Sequence, residues 1–331
     1  MIERRCLVNR AVSLVLPLFL TFASAATAQH LLVLNKEGSV AIVDPVTQKV
    51  LGRAPTGEGP HEVVATTDGK LAVASNYGSG PAPGHTLSVI DIASRKEIHR
   101  VDTTPLMRPH GLFSIDGRVY FTAEGSKAIA RYDPATNKID WLLGTGQDGT
   151  HMVYVTKDQN LIFTSNIGAG TISIFAKTGT GQDWRQTVVP VGPGPEGFDV
   201  TPDGRELWAA NSGDGTVSIV DIAAKKVTQT FPVGAKRSNR LKFTPDGKRA
   251  LISDLTSGEL IVVDVASRKD IKHLNVGKGV AGTLVSPDGS RVYMAATNDN
   301  WVAVVDLKTL ELLSRISTGT GPDGMDWTTS R

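Results

Sequence analysis

Cysteine is almost absent from this 331-residue chain, with Cys6 its single instance, and aromatic residues make up only 6%. One cysteine excludes a disulfide framework, a cysteine-rich zinc site and a cysteine-ligated iron–sulfur cluster. A strong charge of one sign is also missing, since the formal charge is +2. Without residues 1–28, which hold Arg4, Arg5, Arg10 and Glu3, the 35 basic and 33 acidic side chains even out at 32 each. Neutral charge and scarce rings argue against a nucleic-acid partner, which calls for a basic stripe or stacking platforms. No segment carries a capped 3.6-residue apolar period, and none after residue 23 is apolar over a bilayer-spanning length. A Walker loop, a dinucleotide fingerprint and an EF-hand loop are lacking too. Strand serines such as Ser173 and Ser218 sit in no G-x-S-x-G elbow.

What is present begins with an address. Arg4, Arg5 and Arg10 precede an apolar run at residues 11–23, and Ala26-Thr27-Ala28 follows. This is the pattern of a secretory signal peptide over residues 1–28, with cleavage before Gln29. Pro17 interrupts the run and disfavours a buried helix. The expectation is a periplasmic or secreted protein without a membrane span, whose mature chain, residues 29–331, holds no cysteine.

The rest repeats. Turn dipeptides recur at Asp68, Asp116, Asp203, Asp246 and Asp288, each followed by Gly, and Asp158-Gln159 fills the gap; the spacings are 48, 42, 45, 43 and 42. A second marker keeps the same register. An Asp closes an alternating apolar run at Asp44, Asp91, Asp133, Asp221, Asp264 and Asp306, with Ala176 in the remaining place. Each unit reads as four short strands rich in Val and Ile, separated by Gly, Asn, Asp and Pro. Units of this length and pattern are β-propeller blades, which bury their faces by stacking on neighbours. Six units are complete. The chain starts mid-unit with LLVLN and ends on the first strand DGMDW, so the two termini together make a seventh blade and close the ring. The expected fold is therefore an all-β, seven-bladed propeller in one domain, with four antiparallel strands per blade.

Segments such as TPDGRELWAANSGDGTVSIVDIAAKKVTQTFPVG resemble the YVTN-type β-propeller repeat, over nearly all of residues 30–328. The resemblance implies the propeller fold. For function it implies only a range, from lactonase- and lyase-like enzymes through metal- or haem-bearing redox domains to binding platforms.

Two rings of residues point to the channel mouth when the units are aligned. The residue opening each innermost strand is Asp323, His61, His110, His151, Glu196, Asn239 or Ala281. The residue ending each second strand is Asn35, Asn76, Glu124, Asn166, Asn211, Asp254 or Ala296. Three imidazoles from successive blades beside a carboxylate suit a divalent copper, zinc, nickel or iron ion, so His61, His110, His151 and Glu196 are the candidate ligands. Asn76, Asn166 and Glu124 would then hold the distal ring nitrogens. Without a metal, the same four residues are candidate acid–base catalysts, and Arg108 or Arg240 would take an anionic substrate end. Asn211, Asp254 and Asp323 complete the candidate binding set. Lys236, Arg237, Arg240 and Lys242 form a basic patch, either a solubilising rim or an anion site. Residues 77–86 read as a long loop covering the mouth, with His85 near its end. Residues 178–184 read as a variable loop on the other side, and His99 and His273 as solvent-facing.

The leading expectation is an exported propeller that binds a small molecule or divalent metal at its mouth, with lyase or lactonase-like hydrolase activity as its catalytic form. The alternative is a non-catalytic periplasmic scaffold for a protein, cell-wall or nucleic-acid partner. The lack of C-x-x-C-H excludes covalent c-type haem but leaves non-covalent haem and all-histidine copper open.

Overall fold

The computed structural model describes residues 1–2, 29–179 and 183–328. The proposed signal peptide lies outside the described residues except for Met1 and Ile2. Among the described residues the chain forms seven four-stranded antiparallel sheets and two 3-10 turns. We count as blade 1 the sheet built from both termini, in which Pro322–Trp327 pairs with Leu31–Asn35, followed by Ser39–Asp44 and Lys49–Pro55. Blades 2–7 follow in chain order, and in each the first strand is innermost.

Both sequence markers are turn caps. In five blades a hydroxyl two residues before the turn Asp donates to it: Thr66 to Asp68, Thr156 to Asp158, Thr201 to Asp203, Thr244 to Asp246 and Ser286 to Asp288. The carboxylate also accepts a backbone N–H on the far side of the turn, as Lys70 N shows for Asp68. The Asp ending the third strand does similar work. Asp44 accepts Val46 N and Thr47 N, and Asp221 accepts Ala224 N. Short polar side chains thus replace backbone partners where the strand reverses. Blade 4 has Ala176 at this place, and there the connection lengthens to residues 178–183, of which 180–182 are outside the described residues.

The core lies between blades. Each of the seven interfaces has its own apolar cluster among the described residues; Trp208, Phe231 and Phe243 fill the one between blades 5 and 6. Polar groups cross the same gaps, such as Asp199, which accepts Phe243 N. Blade 1 is locked by Trp327, whose indole N–H donates to Val285 O at 2.9 Å while its ring packs edge-on against Tyr293.

A bulge recurs near the start of every innermost strand. In blade 2 the register jumps from Pro60↔Asn76 to Val63↔Ala74, and in blade 4 from Thr150↔Asn166 to Val153↔Thr164. Bulges bend a strand and re-aim its side chains; here they set the second residue of six innermost strands at the mouth, and in blade 6 the third residue, Arg240, lines it instead of Asn239. The third residue alternates in size from blade 1 to blade 7, with two glycines meeting where the ring closes: Gly324, Glu62, Gly111, Met152, Gly197, Arg240, Gly282. A Cβ on Gly111 would lie 2.5 Å from His151 O, and one on Gly324 2.7 Å from His61 O. These glycines let neighbouring innermost strands approach closely, as a narrowing ring requires.

One loop expectation is corrected. Residues 77–86 form a hairpin extension, because strand Leu71–Gly78 and strand Pro83–Asp91 continue the blade and leave only residues 79–82 between them. His85 lies in that extension, exposed and 3.2 Å from Asp102, so it does not border the mouth. His99 is exposed as expected, whereas His273 is half-buried between Glu259 and Asp270.

Candidate functional site

The inner ring converges. His61, His110, His151, Glu196, Arg240, Ala281 and Asp323 line one cavity of about 250 Å³, together with Lys36, Tyr77, Glu124, Ile167, Arg237 and Leu255. The rings touch in series. His61 lies 4.8 Å from Tyr77 and 5.0 Å from His110, and His110 lies 3.8 Å from His151, centroid to centroid. Burial pushes the His61 imidazole down to about 4, against the pull of Asp323. Burial likewise holds His110 well below its ordinary value, with the neighbouring imidazoles adding to the effect. Both rings are neutral at pH 7.

His151 has a different setting. Its Nδ1 is 2.8 Å from Glu124 Oε2, and Glu124 Oε1 accepts the Tyr77 hydroxyl at 2.7 Å. Burial alone would raise the Glu124 carboxyl, but hydrogen bonds from His151 and Tyr77 hold it below the usual carboxylate range. An ionised carboxylate only accepts, so His151 Nδ1 carries the hydrogen and Nε2 faces the cavity without a hydrogen-bond partner among the described residues. Tyr77 is pushed up to about 12 by burial and by Glu124, and stays a donor. Three polar atoms of cavity-lining residues are buried without a partner among the described residues: His110 Nδ1, His151 Nε2 and Glu196 Oε2.

The floor is an ion network. Arg240 reaches across the channel from blade 6 to Glu62 of blade 2, with its Nη2 bonded to Glu62 Oε1. Its Nη1 lies 3.9 Å from Glu196 Oε1, and Asn239 Nδ2 donates to that same oxygen. Burial opposes the charge on Arg240, and Glu62, Asp323 and Glu196 more than restore it, so its affinity for the proton is raised. Asp323 is drawn below its usual value by Lys36, 3.1 Å away, and by His61, despite its burial.

These contacts redistribute the expected roles. Arg240 is neutralised by Glu62 and cannot also take a substrate anion without breaking a buried pair. Arg108 stacks over Tyr77 and donates to Gly80 O, outside the cavity lining. In the second ring only Glu124 holds an imidazole. Asn76 Nδ2 donates to Thr86 and Ser88, Asn166 Nδ2 to Thr171 and Ser173, and Asn211 Nδ2 to Thr216 and Ser218. Asp254 caps the backbone N–H groups of Lys236, Arg237, Thr256 and Ser257. Asn76, Asn166, Asn211 and Asp254 therefore stitch turns and loops together, and none of the four lines the cavity. The recurrence of Asn with Thr five and Ser seven residues later, in NIGAGTIS and NSGDGTVS, is the signal that could have shown it. Tyr77, Glu62 and Lys36 were missed; each comes from a position that repeats irregularly.

The four expected metal ligands do not fit one ion as they stand. His110 and His151 are stacked with a 31° tilt, so their in-plane lone pairs run alongside each other instead of meeting. Among the described residues no group of three His, Cys, Asp or Glu side chains is placed to hold a metal. A larger hollow of about 470 Å³ lies at the opposite end between blades 5 and 6, but its Arg268 is paired with Glu206 at 2.8 Å and it is lined by turn residues.

Solved structures share this architecture. A Bacteroides fragilis protein described as a "putative 6-phosphogluconolactonase" is 16% identical, with 92% of this chain and 99% of that one covered and a TM-score of 0.75. A protein of unknown function from Desulfotomaculum acetoxidans is 12% identical, covering 91% and 99%, with a TM-score of 0.73. Kuenenia stuttgartiensis hydrazine synthase is 18% identical, covering 80% and 88%, with a TM-score of 0.67. At these identities the likeness is one of fold. No curated protein matches the chain at a significant level. Residues 111–288 match the family described as YNCE-like beta-propeller, and that stretch is more than half of the sequence: the chain belongs to the YNCE-like beta-propeller family.

Proposed function

We propose that the channel mouth binds a small polar molecule and that His151 acts on it as a general base. One observation carries this reading. His151 Nε2 and Glu196 Oε2, on adjacent blades, are buried and unpartnered among the described residues, while Glu124 occupies the other nitrogen of His151. Leaving a buried polar atom unpaired costs about 1–3 kcal/mol, so native proteins keep few of them, and a ligand that donates to both recovers the cost. A carboxylate on Nδ1 with a free Nε2 is also the orientation that acid–base catalysis needs.

Hydrolysis of a lactone is the reaction class that uses these parts most simply, and propellers of the same fold carry a lactonase description. His151 Nε2 takes a proton from water as the water oxygen bonds to the carbonyl carbon. The ring C–O bond then breaks, and the imidazolium returns the proton to the departing alkoxide. Glu124 steadies the transient cation, and Glu196 Oε2 holds a substrate hydroxyl. These steps draw on side chains of the mouth alone, and the packing of His110 on His151 favours them over a shared copper, zinc, nickel or iron ion. The leader-like first 28 residues support placing this activity in the periplasm or outside the cell.

The test is hydrolysis of a panel of five- and six-membered sugar lactones followed by pH-stat near neutral pH. His151→Ala should lower the rate at least a hundredfold while the far-ultraviolet spectrum stays unchanged. Wild-type protein no faster than His151→Ala on every lactone would overturn the reading.

A further inference from the structure

The cavity has two chemically different ends. At the floor, carboxylates outnumber cations: Glu62, Glu196 and Asp323 surround Arg240, which is paired with Glu62, while the exposed Lys36 reaches in to pair with Asp323. The free atoms there, Glu196 Oε2 and His151 Nε2, are acceptors that call for a donor. The rim differs. Of the three cations lining the cavity, Arg237 alone has no carboxylate within ion-pair distance among the described residues.

Arg237 is exposed at its head and fixed at its root. Its backbone N–H donates to Asp254 Oδ1 at 3.2 Å, and its carbonyl accepts Leu255 N at 2.9 Å. Asp254 also takes Lys236 N at 2.6 Å, so one buried carboxylate clamps the whole turn. A guanidinium on a clamped turn loses less freedom on binding than one on a loose loop, and its planar fork suits a carboxylate or phosphate.

We infer that the ligand of the mouth is a small hydroxylated anion, with its charged end on Arg237 at the rim and its hydroxyls on Glu196 Oε2 and His151 Nε2 at the floor. The polarity follows from the two ends: the acidic floor repels an anionic group outward, and the rim offers the unpaired cation. This assignment rests on the mouth reading above and adds the chemical class of the ligand and the residue that selects it.

Three probes separate the possibilities: D-gluconate, glucose 6-phosphate and the neutral polyol D-glucitol. Binding to the whole chain is read from the imidazole resonances of His110 and His151 in nitrogen-detected NMR titrations. At least one anion should shift them saturably, with glucitol at least tenfold weaker, and whether gluconate or the phosphate binds tighter tells which anionic group the rim prefers. Arg237→Gln should weaken the anion about tenfold and leave glucitol unchanged, while Arg100→Gln on an outer strand should change neither. If glucitol binds as well as the anions, or Arg237→Gln has no effect, the anionic class is wrong while the mouth reading stands. If no probe moves the imidazole resonances, the mouth reading itself fails, and the ligand class with it.

Discussion

Glu62 and Arg240 are 178 positions apart and meet as a buried ion pair that crosses the channel beneath the imidazoles. Burial pushes the Glu62 carboxyl up, and the guanidinium pulls it back. Each blade supplies the third residue of its innermost strand, so the pair ties blade 2 to blade 6 and floors the cavity. Glycines at the alternate positions make room for it.

Removing one partner strands the other in a site where water cannot replace it. Glu62→Gln or Arg240→Met should each cost about 3–5 kcal/mol in urea unfolding. Glu62→Gln and Arg240→Met combined should cost less than the sum of the two, because neither side chain is then left facing a missing partner. Strictly additive losses would mean that the two side chains do not act as a pair.

The neutral imidazoles make stability depend on pH. His61 titrates near 4 in the fold and near 6.5 when unfolded, and His110 is shifted the same way. The unfolded chain therefore binds more protons between these values. Stability is complete above about pH 6.5 and falls as pH drops toward 4, by at most about 1.4 kcal/mol per pH unit for each group. His110→Phe should flatten the curve of melting temperature against pH in that window; an unchanged slope would show that other groups set it.

Glu124 orients His151, and its role is separable from packing. In Glu124→Gln the hydrogen on Nδ1 loses its ionised acceptor. Nitrogen-15 shifts of His151 should move from a single Nδ1–H form toward a mixture, and any lactone turnover should fall about tenfold or more without change in the melting temperature beyond a few degrees. A loss of turnover with unaltered tautomer would assign Glu124 some other task.

Ring closure depends on the C-terminal strand. Trp327 is nearly buried and spans to blade 7 through Val285 O and Tyr293. Trp327→Ala should cost about 3–5 kcal/mol, measured by chemical denaturation. A loss under about 1 kcal/mol would show that closure rests on the backbone ladder alone.

Export can be checked directly. Expression of the full chain with its first 28 residues in a Gram-negative host should yield protein in the periplasmic fraction that begins at Gln29 by intact mass. An unprocessed Met1 terminus in the cytoplasm would refute the assignment.

The fold was legible because its markers are local. A hydroxyl two residues before the turn Asp caps five of the turns, and an Asp ends the third strand in every blade but the fourth, so both markers recur through groups only a few residues away. Blade number and closure follow from counting them. The inner ring was legible as well, since the bulge fixes the phase of each innermost strand, and His61, His110, His151 and Glu196 do reach one cavity.

What each side chain does there was decided only by the tertiary structure. Arg240 looked like an anion site and is consumed by a carboxylate from the far side of the ring. Asn76 and Asn166 looked like partners for the histidines and instead bind hydroxyls on their own blades. Three imidazoles in register looked like a metal site; His110 lies over His151 at a 31° tilt, and His61 meets His110 at 54°. Repeat spacing determines which blade and height a residue occupies, because backbone geometry is periodic. Partnership across the channel depends on the residues of other blades and on how far the innermost strands close in, and no spacing along the chain encodes that distance.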